Sequence, residues 1–315
     1  MHKQRRISVV MPAYNEAEGI EASVRDFLAL PEVDEVVVVD NNSRDGTADL
    51  ARRAGARVVT ETRQGYGYAC RAALAAGEGD YIILVEPDQT FLATDIYKFF
   101  AYAEEFDIVF GTRTSKTCIW SGSNMGLFLR YGNWAVGKLL EYLHDGPCLT
   151  DVGCTYKLFR RESLRKIIDQ FTVGASHFSP ELMLIGIRSG LLCVEIPVNY
   201  RKRVGTSKIT GQFWKAFRLG LFMIAMIVRC RFKSYPKVTS VVPRPSDQGI
   251  DYNDVRRLRR LGLLIPHRGF AEWSCAAIIA TMQRLSGRSS GTITVNVWPL
   301  CVLLPFRGRI PMTAS

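Results

Sequence analysis

The sequence predicts an α/β fold. Short apolar runs alternate with amphipathic stretches across residues 1–235, the pattern of strands and helices taking turns in one sheet. Several of these runs end in clusters of polar residues, as strand ends at a binding edge do. At 315 residues and 47% hydrophobic content, the chain is also long and apolar enough to fill a sizeable core.

The first expected strand is Ile7–Met11, and Asn15 with Glu18 has capping-box-like spacing ahead of the helix in "IEASVRDFLAL". A second strand, Glu35–Val39, leads to a helix opened by Thr47 in "TADLARRAG" and stopped at Gly55. Strands follow at Ala56–Thr60, Tyr81–Val85, Asp107–Phe110, Thr155–Phe159 and Leu192–Ile196, with helices filling the gaps. The regular pattern ends near Tyr235, so the chain is expected to divide into a domain over 1–235 and an extension over 236–315. The extension carries ten Arg and one Lys against four acids, which is +7 of the total +11 and leaves +4 for the domain. It is broken often by Pro, Gly and Ser, and no structure is assigned to it.

Composition excludes several classes. Eight scattered cysteines without a C-x-x-C pair, and four histidines, argue against a zinc site or a disulfide framework. "GYGYAC" lacks the third glycine of a dinucleotide fingerprint, and the basic surplus has no aromatic-rich sheet motif beside it, so neither an oxidoreductase nor a nucleic-acid binder is expected. "MHKQRRISVVMPAYNE" passes from a short basic start directly into a strand-like run, so a cytoplasmic chain is expected. In "FWKAFRLGLFMIAMIVRCRFK", Phe213–Lys233, the uninterrupted apolar stretch is about ten residues, against about 20 for a span. The segment reads either as an interfacial helix on an anionic membrane surface or as a helix packed on the sheet.

Four strand ends share a polar character: "PAYNE" (Pro12–Glu16), "DNNSRDGT" (Asp40–Thr47), "EPDQ" (Glu86–Gln89) and "GTR" (Gly111–Arg113). Each alone fits an ordinary turn or cap; together they mark one edge. Glu86 and Asp88, separated by a rigid proline, are suited to a hard cation such as Mg²⁺ or Mn²⁺ that would also meet phosphate oxygens. Asp40 is placed to accept hydrogen bonds from a nucleotide base or ribose, with Asn42 two residues on.

"ISVVMPAYNEAEGI", "VVVVDNNSRDGTADLA", "EPDQTF" and "GTR" resemble, in order and spacing, the family 2 glycosyltransferases with the GT-A fold, in the branch of dolichyl-phosphate mannose synthase and related polyprenyl-phosphate glycosyltransferases. The resemblance covers about residues 5–233. It implies a Rossmann-like mixed sheet flanked by helices, with Pro12, Tyr14 and Glu16 in the nucleotide-binding loop, Asp40 at base or ribose, and Glu86, Asp88 and Gln89 as metal ligands. Glu86 stands where Asp is usual, and Asn41 where a second Asp is common. "DVGCTYKLFRR" (Asp151–Arg161) looks like an acceptor-side segment, and "RVGTSK" like the phosphate loop carrying Arg203, Ser207 and Lys208.

The implied reaction is inverting transfer from a GDP- or UDP-sugar by a single displacement. With a lipid-phosphate acceptor, Arg160, Arg161, Arg203 and Lys208 would clamp phosphate. With a hydroxyl acceptor, Glu181 is the candidate base. Arg160 and Arg161 read equally well as the solvated start of a helix, and Glu181 as a charge favoured by a helix N-terminus. A soluble enzyme acting on a hydroxyl and a non-catalytic nucleotide-sugar binder are the competing readings.

Overall fold

β1 (Ile7–Ala13) is buried along its whole length, which an interior strand covered on both faces requires. Its apolar side chains alternate between two cores: Ile7, Val9 and Met11 join one, Val10 the other. The computed structural model describes residues 5–123, 126–204, 213–242, 294–297 and 300–303. Its elements then run α1 (Ile20–Leu28), β2 (Glu35–Asp40), α2 (Thr47–Arg53), β3 (Arg57–Thr60), α3 (Tyr66–Ala76), β4 (Tyr81–Leu84), α4 (Ile96–Ala103) and β5 (Ile108–Thr112). They continue with α5 (Leu127–His144), β6 (Lys157–Arg160), α6 (Arg161–Arg165), α7 (Phe178–Ser189), β7 (Cys193–Pro197) and α8 (Phe213–Cys230).

The strands form a sheet in the order β3-β2-β1-β4-β6-β5-β7. All are parallel to their neighbours except β6, which is antiparallel to both β4 and β5. The carboxyl ends of β1, β2, β4 and β5 therefore share one edge, and the segment that enters β6 arrives at that same edge. One face is covered through Ile20, Val24 and Phe27 of α1 and Ile96, Phe99 and Phe100 of α4. The other is covered through Cys70, Ala73 and Leu74 of α3, Val136 and Leu140 of α5, and Leu182 and Ile185 of α7, with Met223 and Ile227 of α8 closing that core from its outer side.

Three local expectations need correction. Asn15 and Glu18 form no capping box; α1 begins after Gly19 without a side-chain cap. Asn15 instead accepts from Arg44 N at 2.9 Å and, with Asp45 and Thr47, ties the loop after β1 to the loop after β2. α8 packs on α5 and α7 rather than on the sheet. The first compact unit extends to Arg244, past the expected boundary at 235. Asp107 holds that extra segment, accepting from Ser240 Oγ at 2.6 Å and Val241 N at 3.3 Å. In the second unit, Pro245–Ser315, the described residues form an antiparallel pair, β8 (Thr294–Val297) and β9 (Leu300–Leu303).

Candidate active site

β4 delivers its polar tail to the carboxyl edge. Asp88 is 1% exposed. Its Oδ1 accepts from Thr90 N at 3.0 Å and Thr90 Oγ1 at 2.5 Å, which fixes the carboxylate. Its Oδ2 lies 2.9 Å from Arg203 Nη1, and Arg203 Nη2 lies 2.5 Å from Glu16 Oε1. Arg203 thus bridges the loops after β1 and β4. Its backbone is carried there by Val204 N donating to Asp88 O and Arg201 N donating to Thr90 O. Although burial opposes its charge, the neighbouring carboxylates of Asp88, Glu16 and Glu86 hold the guanidinium's pKa above the usual arginine value.

Glu86 is held by two hydroxyls remote in sequence, accepting from Tyr66 Oη at 3.1 Å and Thr155 Oγ1 at 2.9 Å. Burial, and next the charge of Asp88, push its carboxyl above the ordinary range, with Arg203 working against both. Tyr66 opens α3 and Thr155 precedes β6; neither was expected from the sequence as a site residue. Tyr66 lies within "GYGYAC", whose Gly67 has a reason beyond nucleotide binding: a side chain there would collide with the backbone of Val173 and Gly174.

Arg113, the last residue of "GTR", makes a two-pronged ion pair with Asp151, Nε to Oδ2 at 2.8 Å and Nη2 to Oδ1 at 3.0 Å. Asp151 is fully buried and also accepts from Arg113 N and Gly153 N, and among the described residues Arg113, not Asp151, reaches the cavity. Behind the pair, Glu195 accepts from Thr150 N, Thr150 Oγ1 and Asp151 N, and burial pushes its carboxyl up to about 7.

At the end of β2, Asp40 lies beside Ala13 of β1 and accepts from Ser43 N at 3.3 Å. Asn41 donates to the carbonyls of Glu61 and Arg63, both at 2.8 Å, and accepts from Gly65 N at 2.8 Å. A carboxylate cannot donate to two carbonyls, which gives the Asn at this position a structural reason. Asn42, exposed and at φ 63°, donates to Thr62 O and sits outside the cavity wall.

These loops open on one cavity of about 610 Å³. Its polar end is lined by Pro12, Tyr14, Glu16, Asn41, Glu86, Asp88, Arg113 and Arg203. Its other end is an apolar cleft between α5 and α8, walled by residues including Leu129, Ala135, Val136, Leu221, Met223 and Ile224. On the same two helices Leu127, Tyr131, Trp214, Phe217, Leu221 and Phe222 are exposed, and Phe217 and Leu221 of these also line the cavity. Among the described residues, no helix is long and apolar enough to cross a membrane.

Several expected residues are elsewhere. Because β6 is antiparallel, Arg160 pairs with Tyr81 at the far end of β4, so Arg160 and Arg161 lie at the opposite edge of the sheet and clamp nothing here. Glu181 spends its carboxylate on Thr172 N, Thr172 Oγ1 and Val173 N, and does not line the cavity. Gln89, at φ 59°, does not line it either. Ser207 and Lys208 lie outside the described residues.

A divalent cation fits this chemistry best at Asp88, a buried oxygen donor whose Oδ2 already faces a cation, the guanidinium of Arg203. Among the described residues no three acidic, Cys or His side chains form a ready-made cage, so the remaining ligands would be phosphate oxygens and water.

The model of glycosyl transferase family 2 matches residues 8–168. A dolichyl-phosphate hexose transferase of Haloferax volcanii is 30% identical over 64% of this chain and 86% of its own length. An undecaprenyl-phosphate mannosyltransferase of Micrococcus luteus is 30% identical over 65% of this chain and 88% of its own. Among solved structures, glucosyl-3-phosphoglycerate synthase of Mycobacterium tuberculosis, crystallised with Mn²⁺, UDP-glucose and phosphoglyceric acid, superposes with a TM-score of 0.56. It covers 73% of this chain and 80% of the other at 21% identity, which establishes the shared GT-A fold.

Proposed function

The chain belongs to glycosyl transferase family 2, and on that premise we propose that it moves a sugar from a nucleoside-diphosphate sugar to the phosphate of a polyprenyl lipid at a membrane surface. The observation that carries this reading is the form of the cavity: carboxylates and arginines at one end, and an apolar cleft between two helices at the other. A nucleotide diphosphate needs only the first, whereas a lipid phosphate needs both. The names of the Haloferax and Micrococcus relatives agree with such an acceptor.

In this reading Pro12, Tyr14 and Glu16 hold the nucleotide, with Asp40 beside the cavity-lining Asn41 but not itself in the wall, and Arg113 and Arg203 meet phosphate oxygens. Asp88, with Glu86 beside it, would hold Mg²⁺ or Mn²⁺, which supplies neutralisation of the diphosphate leaving group. The acceptor's anionic oxygen attacks the anomeric carbon as the bond to the diphosphate breaks, with inversion and no proton transfer. A general base is therefore unnecessary, consistent with Glu181 being sequestered. The exposed aromatic and aliphatic rim of α5 and α8, flanked by exposed Arg218 and Arg229, rests on the membrane, with the catalytic edge on its cytoplasmic side.

Ala135 is exposed and lines the cleft, so Ala135→Trp fills it without burying a large group in the core. The variant is expected to lose transfer to a polyprenyl phosphate while keeping nucleotide affinity. Undiminished lipid transfer by the folded variant would contradict the assignment of the cleft.

A further inference from the structure

A second cavity, of about 550 Å³, opens at the opposite edge of the sheet, where Arg5, Arg160, Arg161 and Arg165 gather. Three acids share it, but each already has a partner. Glu104 faces Arg5 at 3.5 Å, Glu162 faces Lys166 at 3.5 Å, and Asp80 accepts from Arg6 N at 3.0 Å. Among the described residues, no carboxylate lies within 4.0 Å of a nitrogen of Arg160, Arg161 or Arg165.

Arg160 makes this imbalance costly. It is 8% exposed, its guanidinium lies 5.4 Å from the centre of the Tyr81 ring, and its Nη2 donates to Ala103 O at 2.7 Å. Its buried Nε has no partner. A buried guanidinium ordinarily has a counter-charge, because desolvating an unpaired cation is expensive. Arg161 gives Nη1 to Glu78 O, while Arg165 is exposed at the rim. Val241 and Val242 wall one side, held by Asp107 through Ser240 and Val241 N.

We propose that this cavity is an anion-binding site, separate from the sugar-transfer cleft, that takes a phosphate-class oxyanion, supplied as free phosphate or as an anionic lipid headgroup. Arg160 brings to the cavity wall a guanidinium with no carboxylate partner among the described residues, and Arg161 and Arg165 add charge around it.

The test uses the full chain with UDP and GDP added in excess, so that the proposed nucleotide cleft does not contribute phosphate binding. Inorganic phosphate binding is followed by ³¹P line broadening at constant ionic strength, and vesicle binding is compared between phosphatidylglycerol and phosphatidylcholine. Arg160→Lys removes the fork and Arg165→Gln removes a rim charge on an exposed residue, where misfolding is not expected. Each is expected to weaken binding by about tenfold, the loss of one charge-assisted hydrogen bond. Saturation by free phosphate identifies a soluble ligand, and binding to anionic vesicles that Arg165→Gln weakens identifies a headgroup at this site, as distinct from membrane contact through α8. Binding of neither, or binding that Arg165→Gln and a folded Arg160→Lys leave unchanged, would overturn the proposal.

Discussion

Arg203→Gln takes away the guanidinium that, among the described residues, joins Glu16 to Asp88, and leaves Asp88 and Glu86 without that positive neighbour. A guanidinium and a carboxylate about 4 Å apart, at an effective dielectric of about 20, attract by about 4 kcal/mol before desolvation. Removing one partner of a buried pair costs about 3–5 kcal/mol. The Arg203 side chain is 17% exposed, and with relief from water the expected loss at neutral pH is about 2–3 kcal/mol. The pH dependence is the sharper signature. Burial and Asp88 already raise Glu86, and without the opposing guanidinium it rises further. The native variant then binds protons more tightly than its unfolded chain, so its deficit is smallest in mild acid and grows as pH rises through the raised value. Urea unfolding at pH 5 and pH 8 measures this directly. Mn²⁺ should stabilise the variant more than the parent at equal concentration, because no guanidinium competes for Asp88. A variant as stable as the parent at both pH values, with the same response to Mn²⁺, would refute the view of Arg203 as the cation balancing these carboxylates.

Glu195, pushed up to about 7 from 4.5, holds its proton in the folded state over a range where the unfolded chain has lost it. Its contribution therefore falls as pH rises from about 4.5 through 7, by on the order of 3 kcal/mol. Glu195→Gln should remove that dependence, and parallel stability curves for parent and variant over pH 5–8 would count against it. Asn41→Ala leaves two carbonyls and Gly65 N without partners and is expected to cost about 2–3 kcal/mol in urea unfolding. Asn41→Asp should be worse at neutral pH, since it turns a carboxylate toward those carbonyls. Glu181→Ala strands the N–H groups of Thr172 and Val173 and should lower stability by about 2–4 kcal/mol, with activity tracking the folded fraction. Full stability with abolished turnover would instead restore Glu181 as a base.

The strands and the polar edge were legible because both are local signals. A buried strand is a run of apolar residues, and "EPDQ" or "DNNSRDGT" directly after such a run marks its carboxyl end wherever the strand lies in the sheet. Arg160 and Arg161 were not legible as remote, since their place depends on β6 running against its neighbours, and a four-residue strand carries no sign of direction. Tyr66 and Thr155 reach Glu86 from 20 and 69 residues away, a convergence only the tertiary fold sets. Glu181 shows the reverse: an acid on the first turn of a helix near the site is turned to the backbone of a neighbouring loop. α5 lies in a gap where the sequence predicts a helix but not its bounds, because aromatic residues and two glycines, Gly132 and Gly137, blur its period. That helix forms half of the cleft, so the feature that most favours a lipid acceptor was hidden in the sequence.

Product analysis separates the possible acceptors. Radiolabelled GDP- and UDP-sugars would be supplied with Mn²⁺ and offered a polyprenyl phosphate, the matching polyprenol or phosphoglycerate as acceptor. The expected result is a lipid-linked sugar from one donor, formed on the polyprenyl phosphate alone. Transfer to phosphoglycerate or to the free alcohol, with the polyprenyl phosphate left untouched, would rule out a lipid-phosphate acceptor.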